Sequence, residues 1–226
     1  MEIVQAGDST VFVRFEDRVD VEVNRRVVDL ASRIDSTRVP GVRDVVPAYA
    51  SIAIHFDPLR TDYEALIQVI ESKARERAPR QAEDRSPISI PVCYDPECGP
   101  DLADVASRAG LSEREVIALH ADRPYRVFML GFLPGFAYLG MIDERIAAPR
   151  LSTPRLRVAR GSVGIAGRQT GIYPVESPGG WRIIGRTPIS LFDVSRPQPS
   201  LFSAGDLVRF HAIDRSEFER LQATAR

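Results

Sequence analysis

Three segments carry residue types and spacings that could do chemistry. The first is Met129-Leu130-Gly131-Phe132-Leu133-Pro134-Gly135-Phe136-Ala137-Tyr138-Leu139-Gly140. Its rings alternate with glycine and proline just after an apolar run, which favours a loop. Such a loop would offer a ring-lined surface to a substrate or a second protein, and the same rings serve equally well as core. The second segment runs from Arg160-Gly161-Ser162 to Tyr173-Pro174. Glycine recurs there at Gly161, Gly164 and Gly167, so backbone N–H groups could approach an anion. Tight barrel corners or bulges would use the same glycines. The third is Ser177-Pro178-Gly179-Gly180-Trp181-Arg182-Ile183-Ile184-Gly185-Arg186-Thr187-Pro188. Gly179-Gly180 suits a hairpin turn before the only tryptophan, Trp181. Arg182 and Arg186 offer planar forks that fit a carboxylate or a phosphate, or they line a solvated strand face.

Several other chemistries lack their residues. Neither Gly-x-x-x-x-Gly-Lys-Ser/Thr nor Gly-x-Gly-x-x-Gly occurs, which removes the two commonest nucleotide loops. No Gly-x-Ser-x-Gly elbow and no His-Glu-x-x-His is present. His55, His120 and His211 are scattered, which argues against a Ser-His-Asp triad within one chain. Cys93 and Cys98 bracket Asp95 and Glu97. They could close a small disulfide loop or supply half a metal site. No full zinc ligand set is visible, and no metal is expected. Two reduced cysteines in a cytoplasmic loop is the expectation. Lys73 is the only lysine, so residues beyond it offer none for a Schiff base or a phosphate loop. Residue chemistry alone gives an α+β protein with a glycine-rich β domain and no self-sufficient catalytic set.

The elements that must position these segments follow from the pattern around them. The 226 residues allow one large or two small domains. The net charge of −1 lacks the basic surplus of a nucleic-acid binder. No apolar run of ~18 residues and no secretory n-region is present, so neither a membrane span nor export is expected, and the cytoplasm is the expected location. Strands are predicted at Ile3–Val4, Val11–Phe15, Val42–Val46 and Ala50–Phe56, and a helix at Asp20–Ile34. A second helix is predicted from an N-cap at Thr61, with Glu64 completing a capping box, to about Arg77. Residues 78–87 are polar with two prolines and read as a linker. The domains are accordingly 1–85 and 86–226. The second opens with a strand at Ile88–Cys93. Helices follow at Asp101–Ala109, stopped by Gly110, and from Ser112, boxed by Glu115, to near His120. Tyr125–Leu130 is a strand. Ten of the fifteen glycines then fall between 131 and 185, a spacing of short strands and tight loops that argues for a compact β-barrel or sandwich. A strand at Asp206–Phe210 and a helix at Ser216–Gln222 close the chain.

Taken in order, these blocks resemble the KipI / allophanate hydrolase subunit 1 family, of the carboxyltransferase subdomain C/D type. The matching stretches are Gly7-Asp8-Ser9, Ile90-Pro91-Val92 with Gly99-Pro100-Asp101-Leu102, the Gly131–Gly140 block and the run from Gly161 through Pro188. The resemblance implies a ferredoxin-like α+β N-terminal domain and a cyclophilin-like β-barrel C-terminal domain. It implies the B subunit of an ATP-dependent 5-oxoprolinase, inactive alone. That enzyme opens a lactam to glutamate with a larger subunit of the KipA / allophanate hydrolase subunit 2 type and a lactam-utilisation subunit. Mg-ATP would be bound by the complex. The alternatives it carries are an inhibitor of a sensor histidine kinase, or subunit 1 of an allophanate or urea amidohydrolase-type complex. On the enzyme reading the developing charge needs arginine and backbone donors. Arg155, Arg186 and Gln169 are then the candidate catalytic residues, with Arg168 and Arg182 as further charge stabilisers. Phe132, Pro134, Phe136, Gly164, Thr170, Tyr173, Ser177, Gly180 and Trp181 are the candidate substrate contacts. One departure stands out: Val158-Ala159-Arg160-Gly161-Ser162 places arginine where Val-Pro-Ala-Gly-Ser is expected.

Overall fold

A computed structural model of the chain describes residues 1–76 and 86–224. Contacts divide it into two compact units, 1–84 and 85–226. Most of the expected linker, residues 78–85, lies outside the described residues. Among the described residues no helix is long and apolar enough to cross a membrane.

In the first unit, strict alternation makes the sheet one-sided. Val11 and Val13 of β2 (Thr10–Arg14) and Ile52, Ile54 and Phe56 of β4 (Ser51–Phe56) share one buried face. That face packs on Val27, Leu30 and Ile34 of α1 (Val21–Ser36) and on Leu66 and Ile70 of α2 (Tyr63–Arg75). With β1 (Glu2–Gln5) and β3 (Val42–Pro47) the strands form an antiparallel sheet in the order β1-β2-β4-β3. Asp20 caps α1 by accepting from the N–H groups of Glu22 and Val23. The cap of α2 is Asp62, one residue later than expected. Its carboxylate accepts from Ala65 N at 2.7 Å, and aspartate is the stronger N-cap beside Thr61.

A ferredoxin-like unit runs βαββαβ, whereas this one runs ββαββα. Moving the last strand of the ferredoxin-like order to the front reproduces the observed order. The tight turn at Gly7 (φ +70°) makes β1 and β2 a hairpin, and this is what brings the extra strand to the start.

The second unit is a closed barrel. Its elements are β5 (Ile88–Cys93), α3 (Leu102–Ala109), α4 (Glu113–Ala121), β6 (Tyr125–Leu130), β7 (Ala137–Gly140), β8 (Arg155–Val158), β9 (Ser162–Ala166), β10 (Gln169–Ile172), β11 (Ser177–Gly179), β12 (Arg182–Arg186), β13 (Leu207–Ile213) and α5 (Arg215–Thr224). Seven strands close in the order β10-β7-β6-β13-β5-β12-β9, while β8 and β11 form a separate pair. Every barrel pairing is antiparallel except β13 with β5. Ile90, Val92, Val127, Leu139, Val163 and Ile165 point inward with Phe210. The helix signals in this unit are local and appear as expected. Gly110 ends α3 in the left-handed region, and Ser112 and Glu115 cap each other at the start of α4. The turn from β5 to α3 presses on β12: a Cβ on Gly99 would stand 2.1 Å from the Ile184 carbonyl oxygen.

Candidate functional site

The outer side of the barrel wall carries a row with no side chains at its centre. The strand register sets Tyr138, Gly171, Gly164 and Ile183 side by side. The two glycines leave a floor into which rings fit. Phe136 and Trp181 each approach to 3.1 Å from where a Gly171 Cβ would be, and Trp181 to 3.0 Å from that of Gly164. Any side chain at either position would push the rings away. Phe136 meets Tyr138, Tyr173 and Trp181 edge to face, with centroids 4.9, 5.3 and 5.5 Å apart. That geometry suits the ring quadrupoles. Burial raises the pKa of the Tyr173 hydroxyl, an effect the Trp181 backbone partly offsets.

Phe132 stands at the edge of this block. It is 61% exposed, touches Phe136 edge-on at 5.6 Å and holds φ at +68°. Bulky residues avoid that backbone region, and such strain gathers at functional positions. Pro134 beside it is exposed. The loop therefore splits: Phe136 is core, and Phe132 with Pro134 is surface.

The arginines serve mainly as braces. Arg155 places both guanidinium nitrogens on Asp101, at 2.8 and 2.6 Å. Asp101 occupies the N-cap position of α3 without capping it. Its carboxylate instead accepts from Arg155 and from Ile183 N at 2.6 Å, tying α3, β8 and β12 together. Arg182 is buried, donating from Nε to the Pro149 carbonyl at 2.9 Å and pairing with Asp104. Hydrogen bonding from Arg108, with the Arg182 charge beside it, holds the Asp104 carboxyl below its usual range. Arg186 donates from Nε to the Arg160 carbonyl at 2.8 Å. Replacing Asp101 with alanine orphans a half-buried guanidinium and a buried N–H at once. The expected loss is about 3 kcal/mol of stability, with larger effect than Arg155→Ala, read by denaturant melts of the two variants.

The remaining candidates spread out. Thr170, expected as a substrate contact, points into the barrel, fully buried, and its hydroxyl donates to the Gly164 carbonyl at 3.0 Å. Gly164 lies under Trp181 rather than facing an anion. Ser177 is buried with its hydroxyl on the Pro178 carbonyl, Gly180 and Gln169 are half-buried, and Arg168 is exposed at the β9–β10 turn. The structure thus brings Phe136, Tyr173 and Trp181 together over Gly171 and Gly164, with Phe132 at the edge against Phe136, and keeps Thr170 apart from them.

Sequence reading missed a buried histidine. His120 Nδ1 lies 2.8 Å from the Tyr94 hydroxyl and Nε2 lies 2.9 Å from Thr170 Oγ1. Thr170 spends its proton on Gly164, so it accepts from a protonated Nε2, and Nδ1 accepts from Tyr94. The ring stacks on Phe210 at 4.5 Å, and burial lowers its pKa from 6.5 to about 3. Cys93 and Cys98 are free thiols buried under Phe218. Burial and a hydrogen bond with Cys93 push the Cys98 thiol up to about 12, which keeps it protonated and poorly nucleophilic. Among the described residues no group of three His, Cys, Asp or Glu side chains could hold a metal ion.

Fold and site define a class: a barrel protein with a braced aromatic face and no complete catalytic set among its described residues. The chain belongs to the family described as the carboxyltransferase domain, subdomain C and D, whose model matches residues 1–202. It is 40% identical over 227 residues to the 5-oxoprolinase B subunit of Bacillus subtilis (strain 168), covering 96% of this chain and 95% of that protein. It is 42% identical to the 5-oxoprolinase B subunit of Escherichia coli O157:H7, covering 90% and 92%. The crystal structure of TTHA0988 superposes with a TM-score of 0.82 at 40% identity, over 91% of this chain. The match spans 40% of that longer polypeptide.

Proposed function

We propose that this chain is the B subunit of an ATP-dependent 5-oxoprolinase, working with a larger subunit and a lactam-utilisation subunit in the cytoplasm. The observation that carries the reading is near full-length similarity, at 40% and 42% identity, to two 5-oxoprolinase B subunits. The ring-lined face supports it. Such a face binds a small cyclic amide or completes a site shared with another protein, and its own residues supply no nucleophile and base in contact. Phe132 and Pro134 form the contact edge, and Arg155 and Arg186 act by holding β8 and β12 in place.

This chain's own sequence lacks the commonest nucleotide-binding loops. It has no phosphate loop of the Gly-x-x-x-x-Gly-Lys-Ser/Thr type and no lysine after Lys73. On this reading the nucleotide is bound by the assembled complex.

The test is ATP-dependent glutamate release from 5-oxoproline by the assembled complex, with each subunit omitted in turn. Release that requires this chain supports the reading, and a folded complex that releases none overturns it. Phe132→Ala is expected to lower that activity at least tenfold while leaving the melting temperature within a few degrees, because the ring is mostly outside the core.

A further inference from the structure

We propose that Arg150 is a carboxylate-binding residue on the aromatic face, held over Trp181 to receive the carboxylate of a small substrate. This rests on the lactam-opening reading and deepens it, since the substrate there is a lactam carboxylate.

Arg150 combines two features: it has no carboxylate partner among the described residues, and it lies beside the Trp181 ring. Arg155, Arg157 and Arg182 each have a carboxylate partner: Asp101, Glu176 and Asp104. Arg150 is exposed and makes no ion pair among the described residues. Its guanidinium instead sits over the Trp181 ring, 6.0 Å from the centroid. A guanidinium at cation–π distance from a ring face retains free N–H donors, and these match the two oxygens of a carboxylate.

The backbone beneath it is anchored on both sides. The Pro149 carbonyl accepts from Arg182 Nε at 2.9 Å, and Leu151 N donates to the Gly180 carbonyl at 2.8 Å. One residue earlier, the Ala148 carbonyl accepts from Gly167 N at 2.7 Å. The segment is thus strapped across the barrel wall from the β9–β10 turn to the residue before Trp181. The charge of Arg150 also reaches the buried Tyr173 hydroxyl beside Trp181. An unneutralised cation on an anchored backbone segment, its guanidinium at cation–π distance from the only tryptophan, is suited to receive an anion. Prepositioning lowers the ordering cost of binding.

Trp181 is the only tryptophan, so its emission reports on this spot directly. The purified chain is titrated with 5-oxoproline, with the neutral lactam 2-pyrrolidinone and with inorganic phosphate. A saturable change in Trp181 emission is expected with 5-oxoproline, at least tenfold weaker with 2-pyrrolidinone. Arg150→Gln is expected to weaken the 5-oxoproline titration at least tenfold, with Arg150→Lys in between because it keeps charge but loses the fork. In the active complex Arg150→Gln should raise KM for 5-oxoproline more than it lowers kcat. Equal titration of both lactams, equal titration by the Arg150→Gln variant, or a response to phosphate alone would overturn the assignment. The two readings fail separately. A complex that releases glutamate while Arg150→Gln titrates as the parent removes only this inference. A complex without turnover whose chain still binds 5-oxoproline through Arg150 removes only the 5-oxoprolinase reading.

Discussion

Gly99→Ala is expected to lose more than about 4 kcal/mol and to fail to accumulate as folded protein at 37 °C. The added Cβ would meet the Ile184 carbonyl oxygen at 2.1 Å and its carbon at 2.4 Å. Both are backbone atoms of a central barrel strand, so no side chain can swing aside. Relief needs the β5–α3 turn to lift, and that turn also carries the Asp101 N–H bond to the Ile183 carbonyl at 2.9 Å. Lifting it frees Arg155 from Asp101 and loosens β12 beneath the Trp181 face. Thermal melts of Gly99→Ala and of Gly7→Ala form the measurement. Gly7, unlike Gly99, has positive φ, but nothing lies within 4 Å of its Cβ, so its cost is expected to stay near 1 kcal/mol. Comparable melts for the two would refute the steric argument.

Acid is expected to destabilise the second unit well before its carboxylates protonate. His120 stays neutral in the fold to about pH 3, against 6.5 when exposed. Above the exposed value both states are neutral and the histidine makes no difference. Below it the unfolded chain takes up a proton that the folded one refuses. Stability then falls by about 1.4 kcal/mol for each pH unit until the folded pKa is reached. The cleanest window is roughly pH 6.5 to 4.5, above the ordinary carboxylate range. His120→Gln is expected to melt lower at pH 8, because Tyr94 and Thr170 lose their fitted partner, yet to show a flatter slope through that window. Urea unfolding at several pH values measures both, and an unchanged slope would exclude His120 as the source.

What could be read in the sequence was what neighbours decide. The Ser112–Glu115 box and the Gly110 stop act within a turn of helix, and both are where the pattern put them. The density of glycine after residue 131 pointed to a barrel because tight strand connections need it. The Phe132–Tyr138 loop was legible as ring-rich, but local sequence could not divide it, since only residues distant in the chain, Tyr173 and Trp181, cover Phe136 and leave Phe132 exposed. The spacing of Gly161, Gly164 and Gly167 suggested an anion nest. Register instead put Gly164 under a tryptophan and Gly161 against Thr187, at 2.2 Å from the carbonyl oxygen for a hypothetical Cβ. Arg155 was chosen for its charge and turned out to be committed to Asp101, 54 residues earlier. His120 was read as one of three scattered histidines because its partners lie 26 and 50 residues away. Polar pairs of that separation leave no local trace.

The parallel pairing of β13 with β5 has a consequence for synthesis. It joins Ile88–Cys93, the opening strand of the barrel, to Leu207–Ile213, its last. Loops of that length close slowly, because the chain must give up its freedom before any contact rewards it. On the ribosome the first unit has all its strands early. The barrel emerges as a wall with a gap, its β5 and β6 edges unpaired until the final strand clears the exit tunnel. During that interval the nascent chain exposes sheet edges that invite pairing with other chains. Its yield in the cell should therefore depend on chaperones that hold the open barrel until the last strand arrives.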